Sequence, residues 1–259
     1  MGYISYSSSE GIGTITIDRP EKRNAMTFAM LDELWEALDA ATDDDGTRAI
    51  ILTGVPGAFC AGTDLSDLSS TPQDQRSGRG TRSTPRPAAP LMACPKPIVC
   101  AVDGPAIGMG AEFTSMCDVR IATPRAKFGW VFVHRGLVPD TGAGTWILPR
   151  LIGVQATARL LFSGEIIGAE EAQALGYVAA VVEPDELEQA ARTEAGRFTV
   201  GSPFAIGETK ALLYAGLGRS FDDHVLANRE VMERCFHSDD HREGVASFLE
   251  RRAPQFTGH

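Results

Sequence analysis

Two apolar runs, "RAIILTG" at 48–54 and "KPIVCAVDG" at 96–104, restrict the architecture more than any other feature of the chain. Both are apolar at successive positions rather than alternate ones, which suits a strand covered on both faces, and both stop at a glycine turn. "GTITID" at 13–18 alternates and reads as a half-buried strand. Between it and the first run lies a helix: Thr27 supplies an N-cap, and Phe28, Leu31, Trp35 and Leu38 recur along one face. After the second run, "GMGAEFTSM" opens another helix and "CDVRIAT" returns as a strand. Strand, helix, strand in repeated order predicts an α/β fold with a mainly parallel sheet and crossover helices.

Past Gly176 the pattern changes. "YVAAVVEP" is a last strand, after which helices dominate. Ser202 and Pro203 open one that reaches about Tyr214, Ser220 caps another to about Arg234, and a third starts near Asp240 and carries Val245, Phe248 and Leu249 on one stripe. The expected organisation is an α/β core over 1–195 and a helical region over 196–259. That region either docks on another copy or packs back on its own core. The segment 69–90, "SSTPQDQRSGRGTRSTPRPAAP", is too poor in apolar residues to cover a core. It reads as a mobile surface loop, or as a lid whose Arg76, Arg79, Arg82 and Arg86 draw in an anion.

A formal charge of −10 excludes a broad surface for nucleic acid or anionic lipid, so any anionic ligand needs a local patch. Cysteines are five, an odd number, with no C-x-x-C spacing, which argues against a disulfide framework and a zinc site. His237 and His241 in "HSDDH" fit a solvated helix start better than a metal site. The N-terminus lacks the basic and apolar regions of a secretory signal, and no apolar run reaches the roughly 20 residues that span a bilayer. The expected location is the cytoplasm, without membrane association.

Each glycine turn falls at the carboxyl end of a buried strand, the usual ligand edge of a parallel sheet. In "PAIGMGAEF" the Met109 amide lies between Gly108 and Gly110 at a helix start, where free N–H groups attract anions. A second donor from the Thr63 amide, in "VPGAFCAGTDLSDL", would complete an oxyanion hole, and each such donor contributes about 3 kcal/mol. Glu112 stands two residues past Gly110. Tight packing alone also explains glycines in such turns. No dinucleotide fingerprint, Walker sequence or nucleophile elbow is present.

Taken in order, "DRPEKRNAM", "GAFCAGTDL", "GPAIGMGAEF", "CDVRIAT" and "GLVPDTGAGTWILPRLIG", continued by "SGEIIGAEEAQALGYVAAVV", resemble the crotonase superfamily, also called the enoyl-CoA hydratase/isomerase family. The resemblance implies a spiral of ββα units and a C-terminal helical region that builds a homotrimer or a dimer of trimers. It also implies an acyl-CoA thioester as ligand, with no permanently bound cofactor because coenzyme A arrives as part of the substrate. By the same resemblance, the Thr63 and Met109 amides hold the thioester oxygen of an enolate. Arg23, Ala25, Ala61, Thr63, Asp64, Leu65, Gly108 and Phe132 occupy positions that line the substrate and CoA path.

Glu112 matches the first of the hydratases' two catalytic glutamates, whereas Phe132 stands where the second belongs. Asp140 occupies a position resembling the catalytic aspartate of dienoyl-CoA isomerases and the nucleophile of the family's aryl dehalogenase. The implied activity is hydration of a 2-enoyl-CoA or a double-bond shift, in fatty acid metabolism. A thioester hydrolase or dehalogenase-like use of Asp140 is one alternative, and a non-catalytic acyl-CoA binder another. Glu112 in a surface salt bridge and Asp140 as a turn residue are the plain structural readings. His134, read on a strand with Phe132, is either structural or a proton carrier.

Overall fold

A computed structural model of the chain describes residues 2–70 and 86–259. The first two strands, β1 (Ile4–Ser9) and β2 (Ile12–Ile17), form an antiparallel hairpin that pairs Ile4 with Ile17 and Ser9 with Ile12. After a 3-10 turn at Pro20–Lys22 comes α1 (Phe28–Asp43), with the Met30 N–H donating to the Thr27 side chain as the cap predicts. Its buried face is Met30, Leu31, Leu34, Ala37, Leu38 and Ala41.

The chain continues through β3 (Ala49–Gly54), α2 (Leu65–Ser70), α3 (Pro90–Ala93), β4 (Ile98–Val102), β5 (Pro105–Ile107), α4 (Met109–Met116), β6 (Val119–Ala122) and β7 (Lys127–Gly129). Three short helices, α5 (Ala143–Trp146), α6 (Leu148–Ile152) and α7 (Val154–Ser163), lead to β8 (Ile166–Gly168), α8 (Ala169–Ala174) and β9 (Ala180–Val181). Then come α9 (Leu187–Arg197), α10 (Pro203–Gly216), α11 (Phe221–His237) and α12 (Asp239–Glu250).

The main sheet has the order β1-β2-β3-β4-β6-β9, and every junction except β1-β2 is parallel. Alternate residues of its inner strands feed two apolar layers. Ile50, Leu52, Ile98 and Cys100 face α1 and α4, while Ala49, Ile51, Val99 and Ala101 pack under Leu187, Ala191 and Ala195 of α9. Burial on both faces is why these strands read as unbroken apolar runs. A second sheet, β5-β7-β8, combines a parallel and an antiparallel pair.

The segment at 131–135 is a 3-10 turn closed by Gly136, so Phe132 and His134 do not share a strand face as expected from sequence. A 3-10 turn places every third residue together, and the His134 ring turns outward to the Ser163 carbonyl at 2.8 Å. Of the proposed lid, residues 71–85 with Arg76, Arg79 and Arg82 lie outside the described residues. Arg86 is described, and its guanidinium forks onto Asp39 of α1.

Ser202 and Ser220 cap α10 and α11 as read from the sequence. The helix α10 docks on its own core: Lys210 Nζ lies 2.6 Å from Asp118 and the Tyr214 hydroxyl donates to the same carboxylate at 2.7 Å. The chain's end returns as well, with the Phe256 carbonyl accepting from Arg48 at 2.6 Å. Among the described residues no helix is long and apolar enough to cross a membrane.

Candidate active site

The turn that leaves β3 is tied to two neighbouring backbones. Asn24, fully buried with φ 56°, donates through Nδ2 to the carbonyls of Ile17, Ala58 and Phe59 at 2.9, 2.7 and 3.1 Å. Beside it, the Ala61 amide donates to Arg23, the Met26 amide to Gly62, and the Asp64 amide to Met26, at 3.0, 2.7 and 2.8 Å. The structure therefore brings Arg23 and Ala25 against Ala61–Leu65, the grouping expected from sequence. In this parallel bridge Met26 makes both bonds, so the N–H and C=O of Thr63 turn to the opposite side.

On that opposite side lies the turn after β4. Cys60 donates to Pro105 and accepts from Ile107, each at 2.9 Å, which clasps the two turns together. Gly62 has φ +100°, and a Cβ there would sit 2.9 Å from the Ile107 oxygen, so only glycine lets the backbones approach this closely. Met109 opens α4 behind Gly108, and the first bonded amide of that turn is Glu112, which donates to Gly108 at 3.0 Å. Among the described residues neither the Thr63 amide nor the Met109 amide has an acceptor.

All eight residues of α4 are buried, Glu112 among them at 0% exposure. Thr141 Oγ1 donates to Glu112 Oε2 at 2.5 Å, while Oε1 is buried without a partner among the described residues. Desolvation pushes this carboxyl up to about 7, opposed by the Thr141 hydroxyl, reinforced by the charge of Asp140, and opposed again by the nearby Gly144 and Thr141 amides. Glu112 is therefore not the surface or salt-bridged residue of the plain reading.

Asp140 is an exposed residue, yet enough protein surrounds its carboxyl that desolvation raises it as well. Its charge also opposes ionisation of the buried Cys60 thiol, which desolvation pushes up to about 12. Asp140 thus lies within electrostatic reach of both Cys60 and Glu112. Phe132 is buried in the same apolar cluster as Trp130, Met109 and Cys60 and supplies no carboxylate there.

Other expected positions divide. The Arg23 side chain is exposed, and Leu65 is 52% exposed. Asp64 instead turns inward: Ser66 Oγ at 2.5 Å and, next, Arg19 Nη1 at 2.9 Å hold its carboxyl down to about 2 against desolvation. Asn24 and Arg19 lie within "DRPEKRNAM" and Thr141 within "GLVPDTGAGTWILPRLIG", but no role for their side chains follows from those stretches. Only Asn24 has a sequence signal, since asparagine tolerates the left-handed backbone of a tight turn. Among the described residues no group of three or more His, Cys, Asp and Glu gathers that could hold a metal ion.

A mainly parallel sheet whose carboxyl edge carries two clasped glycine turns, a buried carboxyl and a short second sheet defines a crotonase-fold protein. Accordingly, the structure matches enoyl-CoA hydratase from Mycobacterium tuberculosis H37Rv with a TM-score of 0.89, 33% identity and full coverage of both chains. A Bacillus anthracis enoyl-CoA hydratase matches with a TM-score of 0.87 and 30% identity over 99% of this chain and 100% of that one. The chain belongs to the enoyl-CoA hydratase/isomerase family, whose model matches residues 7–259. In sequence it is 38% identical to a probable enoyl-CoA hydratase of Rhodobacter capsulatus over 98% of each chain. It is 35% identical to the 1,2-epoxyphenylacetyl-CoA isomerase of Escherichia coli K12, over 100% of this chain and 99% of that one.

Proposed function

We propose that this protein acts on enoyl-CoA thioesters by stabilising their enolates, and that it moves a double bond in preference to adding water. The observation that carries this reading is the pairing of Glu112, buried and poised near neutrality, with Asp140, while Phe132 stands as an apolar wall. One carboxylate takes a proton from C2 of a 3-enoyl thioester. Its electron pair moves onto the thioester oxygen, where the Thr63 and Met109 amides meet the developing charge, and the other carboxyl returns a proton at C4. Hydration asks for two carboxylates on one water, and the second is absent at Phe132. The Rhodobacter relative is named a hydratase, which keeps water addition as the second reading.

Arg23 and the Ala61–Leu65 turn support the CoA moiety, with the arginine supplying positive charge that the chain as a whole lacks. No bound cofactor is needed, since coenzyme A comes with the substrate. We also infer a homotrimer or a dimer of trimers, built through the helical region at 196–259 that follows the α/β core at 1–195.

Incubation with 2-enoyl and 3-enoyl CoA esters of several chain lengths, scored by mass, tests the reading. Unchanged mass with shifted absorbance is expected. A gain of one water establishes hydration, release of free CoA establishes a hydrolase, and tight binding without conversion establishes a binder. Glu112→Gln should abolish turnover.

A further inference from the structure

We infer that Thr141 is the positioning residue that fixes the reacting carboxyl: its hydroxyl clamps Glu112 Oε2 and leaves Oε1 as the oxygen free to exchange a proton. This inference deepens the proposed function and rests on Glu112 being the acid/base of that reading. Thr141 Oγ1 stands 2.5 Å from Oε2 and itself accepts the Ala143 N–H at 3.2 Å. A hydroxyl has one hydrogen and two lone pairs: one lone pair takes the Ala143 amide, and the single hydrogen goes to the ionised carboxylate, which can only accept. The Glu112 side chain is confined from a second direction. A Cβ on Gly144 would lie 2.5 Å from Oε1, so the bare Cα at 144 is what leaves room for that oxygen. Oε1 is buried and makes no well-aligned hydrogen bond among the described residues, the nearby Gly144 and Thr141 amides only favouring the charged carboxyl, and a buried acceptor left without an aligned donor is costly unless it is used.

The same loop carries Asp140, directly before Thr141 in the chain. The segment that brings the second carboxylate within electrostatic reach of Glu112 therefore also holds the first one in place. A carboxyl with one oxygen clamped and the other free presents one lone pair in one direction, which is what proton transfer at a defined carbon requires. A threonine that only shaped the turn before α5 would need its bond to Ala143 and nothing from Glu112.

Thr141→Val and Thr141→Ser separate these roles, with circular dichroism confirming that each variant folds. Two readouts are used: turnover of 3-enoyl-CoA against pH, and the Glu112 carboxyl stretch titrated by isotope-edited infrared spectroscopy, with Glu112→Gln assigning the band. With valine, kcat should fall roughly 10- to 100-fold while KM stays within about twofold, because a hydrogen bond to a charged group is lost and binding surface is not. The Glu112 midpoint should move upward in that variant, and serine should restore both quantities. A valine variant that titrates like the unaltered protein, or a serine variant as impaired as valine, overturns the assignment. If the unaltered protein turns over no enoyl-CoA ester, the proposed function fails. The infrared midpoint still decides the Thr141 contact independently.

Discussion

Under the proposed function, Glu112 couples the chemistry of the site to the stability of the molecule. Its carboxyl is held at about 7 in the folded protein against an ordinary 4.5, so the folded state binds the proton more tightly than the unfolded chain does. The stabilising contribution of the neutral form is fully present below pH 4.5. It is lost as pH rises to about 7, above which the fold must bury an anion. Over that window the contribution falls by about 3 kcal/mol. Glu112→Gln has no proton to lose and should escape the decline. Denaturant titrations at pH 5 and pH 8 should therefore show the glutamine variant gaining on the unaltered protein as pH rises, whatever its turnover. Parallel stability curves would mean that the carboxyl is ionised throughout and that its burial has been offset in some other way.

At the scale of elements, the site is made where two turns and the chain after β2 meet, and a single side chain joins two of the three. Asn24→Ala removes the donor group from three buried carbonyls and puts at positive φ a residue that tolerates it less well than asparagine, which should cost about 2 to 4 kcal/mol. Since Thr63 is carried by the same turn, KM for a CoA ester should rise with it; a variant that lost stability but kept KM would show that the turn is held by its backbone bonds alone. A second junction is the docking of α10 through Lys210 and Asp118, both largely buried. Lys210→Met leaves Asp118 uncompensated and should destabilise by about 3 kcal/mol. Adding Asp118→Asn should recover part of that loss, as read by chemical unfolding. Which of these elements could be read from sequence follows from how each is buried. The strands β3 and β4 announce themselves because both faces are covered, and α1 and α10 because Thr27 and Ser202 cap them. The strands β5, β7 and β8 span three residues each, too short for any period to show. Thr63, Met109 and Glu112 could be placed because glycines mark their turns. Thr141 could not, because a hydroxyl's partner depends on which helix the loop crosses.

For the whole molecule, the balance of exposed apolar surface decides what surrounds the chain. The helix α11 buries no residue, and Phe221, Leu226, Met232 and Phe236 on it are exposed. On α12, Val245, Phe248 and Leu249 form the stripe read from sequence, and the latter two are 83% and 74% exposed. Yet α10 and the chain's end are fastened to their own core by Lys210, Tyr214 and Arg48. The region thus holds itself in place and still presents an apolar face, the arrangement expected of a surface that meets other copies. A net charge of −10 disfavours unspecific association, so a defined assembly requires this patch to be matched by another chain. Sedimentation at micromolar concentration should give a mass that is a threefold or sixfold multiple of 27.7 kDa. Phe248→Asp combined with Leu249→Asp should shift it toward the single chain if the stripe lies in the contact. These side chains make little contact within their own chain, so thermal unfolding of the separated chain should retain its cooperativity. A single-chain mass for the unaltered protein would remove the helical region from the assembly and leave its apolar face without an occupant.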